Sequence, residues 1–154
     1  MAELPQPFTD TLKIAGYGRY GSRKTLQIGH LIDLVGTANV LIVSADAVQR
    51  SALDKLLWTY AADSFLPHGQ SGEDDASQPI LIGGDAIAGN AARNVALADG
   101  QWRDEALAFD RAFHFFDAER IAEARAAWKA LADRDGVERR YWKQDDSGKW
   151  EQAA

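Results

Sequence analysis

The sequence predicts one α/β domain, a three-layer α/β/α sandwich with a mostly parallel central sheet and a C-terminal antiparallel hairpin. Residues 40–43 and 80–82 are entirely aliphatic, which is typical of short strands buried on both faces of a sheet. A segment with helical periodicity lies between these two runs, and alternating strands and helices indicate a parallel sheet with helices on both sides. Residues 137–143 and 149–151 flank a loop that contains glycine, which predicts the hairpin.

The N-terminal part supplies a first strand and a first helix. Residues 1–10 contain two prolines and predict irregular chain, and residues 11–17 predict a strand. Apolar residues then recur at helical spacing, and Gly36 suits the end of that helix. These residues are Ile28, Leu31, Ile32 and Val35.

A second helix follows the aliphatic run at 40–43, and Asp46 with Gln49 resembles a capping box at its start. Its apolar stripe contains Leu53, Leu56, Leu57 and Tyr60. Trp58 lies off this stripe, because successive residues are rotated by about 100°. An off-stripe tryptophan is either covered by a neighbouring loop or exposed as an anchor for a partner protein. Pro67 ends the helix by Leu66, and Phe65 presents a further apolar group just beyond Trp58.

The second half continues the alternation with shorter elements. Residues 70–78 form a polar loop, and residues 102–110 predict a short helix. Strands are predicted at 80–82, 94–97 and 112–116.

A last helix is predicted over residues 118–133, from a cap at Asp117 to a stop at Gly136. Its apolar stripe contains Ile121, Ala124, Trp128 and Leu131. Arg125 and Lys129 lie four residues apart on one flank of that stripe. Two cations beside an aromatic residue are commonly solvated charges, and Trp128 suits core packing. The same arrangement also suits a socket for a short acidic peptide with an apolar tip.

Composition and charge exclude several classes of protein. The chain of 154 residues is 46% hydrophobic and 26% charged, as in an ordinary soluble domain. No apolar run is long enough to span a bilayer, and the first residues do not resemble a signal peptide. The absence of cysteine excludes disulfides and thiolate chemistry and suits the cytoplasm. The net charge of −6 argues against a broad nucleic-acid contact, so we expect any action on DNA to be indirect.

No catalytic, cofactor or metal site stands out in the sequence. The three histidines, His30, His68 and His114, lack the spacing of metal ligands. Ser64 and His68 are close in sequence but lack the G-x-S-x-G motif of a serine hydrolase.

Gly16, Gly18 and Gly21 have the G-x-G-x-x-G spacing of a Rossmann-like dinucleotide loop, directly after a predicted strand. The alternative function is therefore a nucleotide-binding α/β enzyme that uses this loop. The motif alone is weak, because no acidic residue ends a second strand at the expected distance.

A longer pattern, ALDKLLWTYAADSFLPHG over residues 52–69, resembles the central motif of the DNA polymerase III chi subunit family. The resemblance extends from Val40 towards the C-terminus, through residues 79–82, 124–129 and 141–144. It implies a single chi-like domain over residues 1–154. It also implies a non-catalytic accessory subunit of the clamp-loader complex, which acts in DNA replication as part of a DNA-directed DNA polymerase.

The resemblance also implies two binding surfaces. One binds the acidic C-terminal tail of single-stranded DNA-binding protein, and the matching positions are Arg125, Trp128, Lys129 and Phe116. The other surface contains Trp58 and Phe65 and docks the psi subunit of the clamp loader. The resemblance also implies a repair helicase as an alternative partner of this surface. On this interpretation the protein is a monomer when alone, lies in the bacterial cytoplasm at the replisome, and contacts DNA only through its partners.

Overall fold

The computed structural model describes residues 12–16, 39–59, 67–72, 74–116, 120–144 and 150–152. The strands are β1 (Leu12–Gly16), β2 (Val40–Val43), β3 (His68–Gln70), β4 (Ile80–Gly83), β5 (Asn94–Leu97), β6 (Arg111–His114), β7 (Val137–Arg139), β8 (Trp142–Gln144) and β9 (Trp150–Gln152). The helices are α1 (Ala47–Thr59) and α2 (Ile121–Ala130), with short 3₁₀ helices at Asp75–Ser77 and Asp104–Ala108. The predicted helix around residues 28–35 lies outside the described residues.

Strands β1 to β7 form one sheet in the order β3-β4-β2-β5-β6-β1-β7, and neighbouring strands run parallel. β2 is an interior strand between β4 and β5, where Val40 is opposite Ile80 on one side and Asn94 on the other. Its four residues are all buried, which explains why it consists of aliphatic residues on both faces. The predicted parallel sheet is confirmed.

The two faces of the sheet carry separate apolar clusters, because successive strand residues point to opposite sides. Val40 and Ile42 pack with Leu53 and Leu57 of α1 on one face. On the other face, Leu41 and Val43 share a cluster with residues around the second 3₁₀ helix and with Leu131, which follows α2. Helical segments therefore cover both faces, which confirms the three-layer architecture.

The antiparallel hairpin is confirmed, but it is shorter than predicted. It consists of β8 and β9, in which Trp142 is opposite Gln152 and Trp150 is opposite Gln144. Val137–Arg139, predicted as part of the hairpin, instead pairs in parallel with β1 at the edge of the main sheet. The alternation of side chains is the same in either pairing, so local sequence does not distinguish them.

Both helices also differ in detail from the prediction. Asp46 does cap α1, since its Oδ1 accepts from the Val48 amide at 2.9 Å. Gln49 does not complete a capping box, because its amide donates to the Ala98 carbonyl instead. α2 is shorter than predicted. Gly136 has a positive φ of 79° but lies in the turn before β7, several residues after the helix.

Candidate functional site

One stripe of α2 forms a wall of a pocket of about 270 Å³. The lining residues of this helical segment recur at helical spacing, namely Ile121, Ala124, Arg125, Ala127, Trp128 and Leu131. Ala124 and Leu131 are buried, whereas Ile121 and Trp128 are only partly buried. All four residues of the stripe predicted from sequence line the pocket, and Leu131 also belongs to the apolar cluster on this face of the sheet.

The opposite wall is a chain of neighbouring aromatic rings from three segments. His114 and Phe116 lie at the carboxyl end of β6, with ring centroids 5.4 Å apart. Trp102, in the loop after β5, lies 5.7 Å from His114. Tyr141, after β7, stacks on Phe116 at 6.3 Å with an interplanar angle of 16°. Since all four rings line the pocket, its surface is mainly aromatic and apolar.

Arginine side chains supply positive charge at this pocket. Arg125 and Arg140 line it, and Arg125 is exposed whereas Arg140 is about a quarter exposed. Lys129 is exposed on the same helix but is not among the lining residues. Arg139 lies against Trp128, with its guanidinium carbon 4.3 Å from the ring centroid. The pocket thus combines aromatic walls with guanidinium groups, which suits a ligand with an apolar tip and a negative charge.

The loop after β5 positions Trp102 and is held by a buried carboxylate. Asp99 accepts hydrogen bonds from both Nη atoms of Arg103, at 2.9 and 2.7 Å, and from the amides of Ala45 and Gln101. Burial alone would raise the pKa of Asp99, but these hydrogen bonds and the charge of Arg103 outweigh it and lower that pKa to about 2. Asp99 therefore ties this loop to the segment that precedes α1.

Gly100 brings the same loop against the start of α2. Its φ is +80°, and a Cβ at this position would lie 2.6 Å from Cγ of Arg120, the residue that precedes α2. The carbonyl of Gly100 lies 2.9 Å from Nε2 of His114. Only glycine satisfies both the backbone conformation and the close approach.

The structure therefore brings together three of the four residues predicted for tail binding: Phe116, Arg125 and Trp128. Lys129 lies beside the pocket and not in its lining. Sequence reasoning missed Arg140 and Tyr141, because it assigned them to the hairpin. The pair of cations followed by an aromatic residue, so soon after Gly136, is a signal that could have indicated a site.

A second surface surrounds Trp58 on α1. Trp58 is 57% exposed, while Leu53 and Leu57 of the same helix are fully buried, so the predicted off-stripe position is confirmed. The indole lies 4.7 Å from the ring of His68 in β3. Nε2 of His68 is 3.1 Å from both the carbonyl oxygen and Oδ1 of Asp54. The residue predicted to accompany Trp58, Phe65, lies outside the described residues.

The two surfaces lie on different sides of the sheet. α1 packs with the apolar cluster of one face and contacts β3 and β4, which lie at one end of the strand order. The pocket contains Leu131 and Trp102, which belong to the cluster on the other face, and residues beside β6 and β7. Ligands at the two surfaces would thus not meet.

The other candidate site residues from the sequence lie largely outside the described part of the chain. Gly16 is the last residue of β1, but Gly18 and Gly21 lie outside the described residues, as do Ser64 and His30. In the part of the chain that the structure describes, no group of three or more His, Cys, Asp or Glu side chains is arranged to hold a metal ion. None of the helices in the described segments has the length and apolar character needed to cross a membrane.

The fold and site together define a small α/β domain with an aromatic pocket on one side of its sheet and an exposed tryptophan on the other. Comparison with known proteins is more specific. The family model of the DNA polymerase III chi subunit, HolC, matches residues 33–138, which is more than half of the chain. The chain therefore belongs to the DNA polymerase III chi subunit family.

A curated relative bears the same name. The DNA polymerase III subunit chi of Pseudomonas aeruginosa is 41% identical to this chain over 44 residues. The match covers 29% of this chain and 30% of the relative's length. The match to this relative thus spans less than a third of either protein.

Proposed function

We propose that this protein is a non-catalytic accessory subunit of the bacterial DNA polymerase III clamp-loader complex. It would bridge that complex to the C-terminal tail of single-stranded DNA-binding protein during DNA replication. Membership of the chi family supports the association with the polymerase. Such a subunit works in the cytoplasm and reaches DNA through its partners, which agrees with a net charge of −6.

The observation that carries this proposal is the pocket that joins Phe116 and Trp128 with Arg125. Its volume of about 270 Å³ is below the roughly 300–1,000 Å³ of pockets for drug-sized ligands and suits one large side chain. An acidic tail that ends in an aromatic residue would place its ring between the aromatic walls. Its carboxylates would bind the arginines in charge-assisted hydrogen bonds.

Trp58 and Phe65 are the proposed docking residues for the psi subunit, or for a helicase partner. The support is exposure: a large indole that is 57% accessible is a typical anchor for a partner protein. The indole also contacts the ring of His68, which in turn contacts Asp54, so one side of the indole is packed against the protein.

A calorimetric titration with a peptide that copies the organism's own single-stranded DNA-binding protein terminus tests the proposal. We expect Arg125→Glu to weaken binding about tenfold or more, since it reverses a charge in the lining. Lys129→Glu should weaken binding only about two- to fivefold, because Lys129 lies outside the lining.

The matched control is Arg93→Glu. Arg93 directly precedes β5, at the edge of the sheet opposite the carboxyl ends that form the pocket, and its side chain is 74% exposed. This variant should bind the peptide as the wild type does. Equal loss in all three variants would indicate a general charge effect, and no binding by the wild-type protein would refute the proposed tail contact.

A further inference from the structure

Arg140 differs from the other cations near the pocket in its degree of burial. Its side chain is 24% exposed, whereas Arg125 and Lys129 are exposed residues of α2. It lines the pocket beside Tyr141, whose ring stacks on Phe116. Of the two arginines that line the pocket, Arg140 is therefore the more enclosed by the aromatic walls.

Partial burial strengthens the attraction between this guanidinium and a carboxylate. Opposite charges attract more strongly where water and salt screen them less. An arginine also has five N–H donors in a planar fork that matches the geometry of a carboxylate. A carboxylate on a ligand whose ring fills the pocket would therefore gain more from Arg140 than from an exposed cation at the rim.

In the structure, Arg140 already bonds to a carboxylate of the protein itself. Its Nη2 donates to Oε1 of Glu138, two residues earlier. Glu138 is not among the residues that line the pocket, and its side chain is 38% exposed. Glu138 therefore contacts the Arg140 guanidinium from outside the space that a ligand would fill, and a ligand carboxylate would compete with it for that group.

We propose that Arg140 is the carboxylate receptor of the pocket and that Glu138 is an internal competitor that the incoming carboxylate displaces. This inference rests on the proposed function and identifies the terminal carboxylate as the group of the tail that the pocket recognises. The aromatic walls hold the terminal ring, and Arg140 holds the free carboxylate at the end of the same residue. The pocket would thus distinguish a chain end from an internal acidic segment.

The test compares two forms of the tail peptide, one with a free C-terminal carboxylate and one with a C-terminal amide. Both are titrated into the wild-type protein, Arg140→Gln, Glu138→Gln and the double variant. Arg140→Gln should weaken binding of the acid peptide about tenfold or more and remove most of the difference between the two peptides. Glu138→Gln should strengthen binding of the acid peptide about two- to fivefold, because the competitor loses its charge.

The double variant is the decisive control. If Glu138 acts only through Arg140, Glu138→Gln has no effect when residue 140 is glutamine. Circular dichroism and thermal unfolding verify that each variant folds. A further variant, Arg140→Lys, keeps the positive charge but loses the planar fork of donors, and it should bind the acid peptide with intermediate affinity. If Arg140→Gln does not fold, Arg140→Lys and Glu138→Gln test whether Arg140 binds the terminal carboxylate.

The outcomes separate this inference from the proposed function. Full acid-over-amide selectivity in Arg140→Gln, or weaker binding in Glu138→Gln, would overturn the role of Arg140 and leave the tail contact intact. Failure of the wild-type protein to bind either peptide would overturn both.

Discussion

Trp128 illustrates how single side chains shape the pocket. The Nη1 atom of Arg139 donates to the Trp128 carbonyl at 2.6 Å, and its guanidinium carbon lies 4.3 Å from the centre of the indole ring. Because Arg139 is not among the lining residues, it holds Trp128 without occupying the space of a ligand. One cation thus connects edge strand β7 to helix α2 and fixes the aromatic wall.

Replacing Arg139 should therefore destabilise the domain. We expect Arg139→Ala to lower the free energy of unfolding by about 1–3 kcal/mol, since both the cation–π contact and the hydrogen bond to a carbonyl are lost. Urea denaturation measures this change. Arg134→Ala is the control, because that side chain is 53% exposed and reaches Asp104 only at 3.7 Å, so its effect should stay below about 0.5 kcal/mol. Equal effects of the two substitutions would contradict the role assigned to Arg139.

At the scale of elements, the loop after β5 determines how the pocket is assembled. Asp99 joins it to the segment before α1, Gly100 lets it approach the start of α2, and Trp102 contributes a ring to the wall. The indole of Trp102 is itself oriented by a hydrogen bond of 2.9 Å to Asp104. A short loop thus determines where two helices and one aromatic ring lie relative to each other.

The buried carboxylate in this loop makes stability depend on acid pH. The pKa of Asp99 is lowered from 3.8 to about 2 in the folded protein, so folding favours the charged form. By linkage, about 2 kcal/mol of stability is present at neutral pH and is lost as the pH falls from about 4 through 2. We expect Asp99→Asn to be less stable at pH 7 and to lose less stability over that range. Chemical denaturation at pH 7, 4 and 3 checks this.

A matched variant on the surface separates this effect from general acid destabilisation. The exposed carboxylate of Asp104, which follows Arg103 in the same loop, is 68% accessible. Asp104→Asn should retain the pH dependence of the wild-type protein. If Asp99→Asn and the wild type lose the same stability between pH 4 and pH 3, Asp99 does not hold the loop as described.

At the scale of the whole molecule, the sheet separates the two candidate surfaces. Trp58 belongs to the side covered by α1, and the pocket lies beside α2 on the other face. If both surfaces bind partners as proposed, the sheet would keep those partners apart, which agrees with the proposed bridging role.

Loss of Trp58 should therefore affect one partner and not the other. We expect Trp58→Ser to reduce binding to the purified clamp-loader complex about tenfold or more, while the tail peptide binds with unchanged affinity. Val48→Ser is the control, since Val48 is an exposed apolar residue of the same helix and is 78% accessible. A pull-down and a calorimetric titration measure the two interactions. Weaker binding of the tail peptide to Trp58→Ser would show that the two surfaces are coupled.

Sequence reasoning succeeded where short-range patterns determine the structure. The strand at Val40–Val43 follows from an aliphatic run, and the off-stripe position of Trp58 follows from its rotation away from Leu53 and Leu57. The sequence left open whether a loop covers Trp58, and only the structure shows that its side chain is exposed. The lining by Phe116, Arg125 and Trp128 agrees with predictions that rested on the family resemblance and on helical spacing. Their role in binding a tail stays a prediction.

The errors involve contacts between distant parts of the chain. His68–Gln70 was not predicted as a strand, because its short polar sequence becomes extended only by pairing with β4. Val137–Arg139 was assigned to the hairpin, since nothing near it indicates that its partner is β1. Because of this second error, Arg140 was not predicted as a site residue. It lines the pocket because it follows β7, which pairs with β1.

The amino-acid sequence by itself determined the aliphatic inner strands, the apolar stripes of both helices and the charge that disfavours direct contact with nucleic acid. These follow from residue type and spacing over a few turns or strand positions. Only the tertiary structure decided that Arg140 and Tyr141 meet the helix that carries Trp128, and that Glu138 neutralises Arg140. The physical reason is that strand order joins β7 to β1 and brings these segments together through hydrogen bonds that no local pattern encodes.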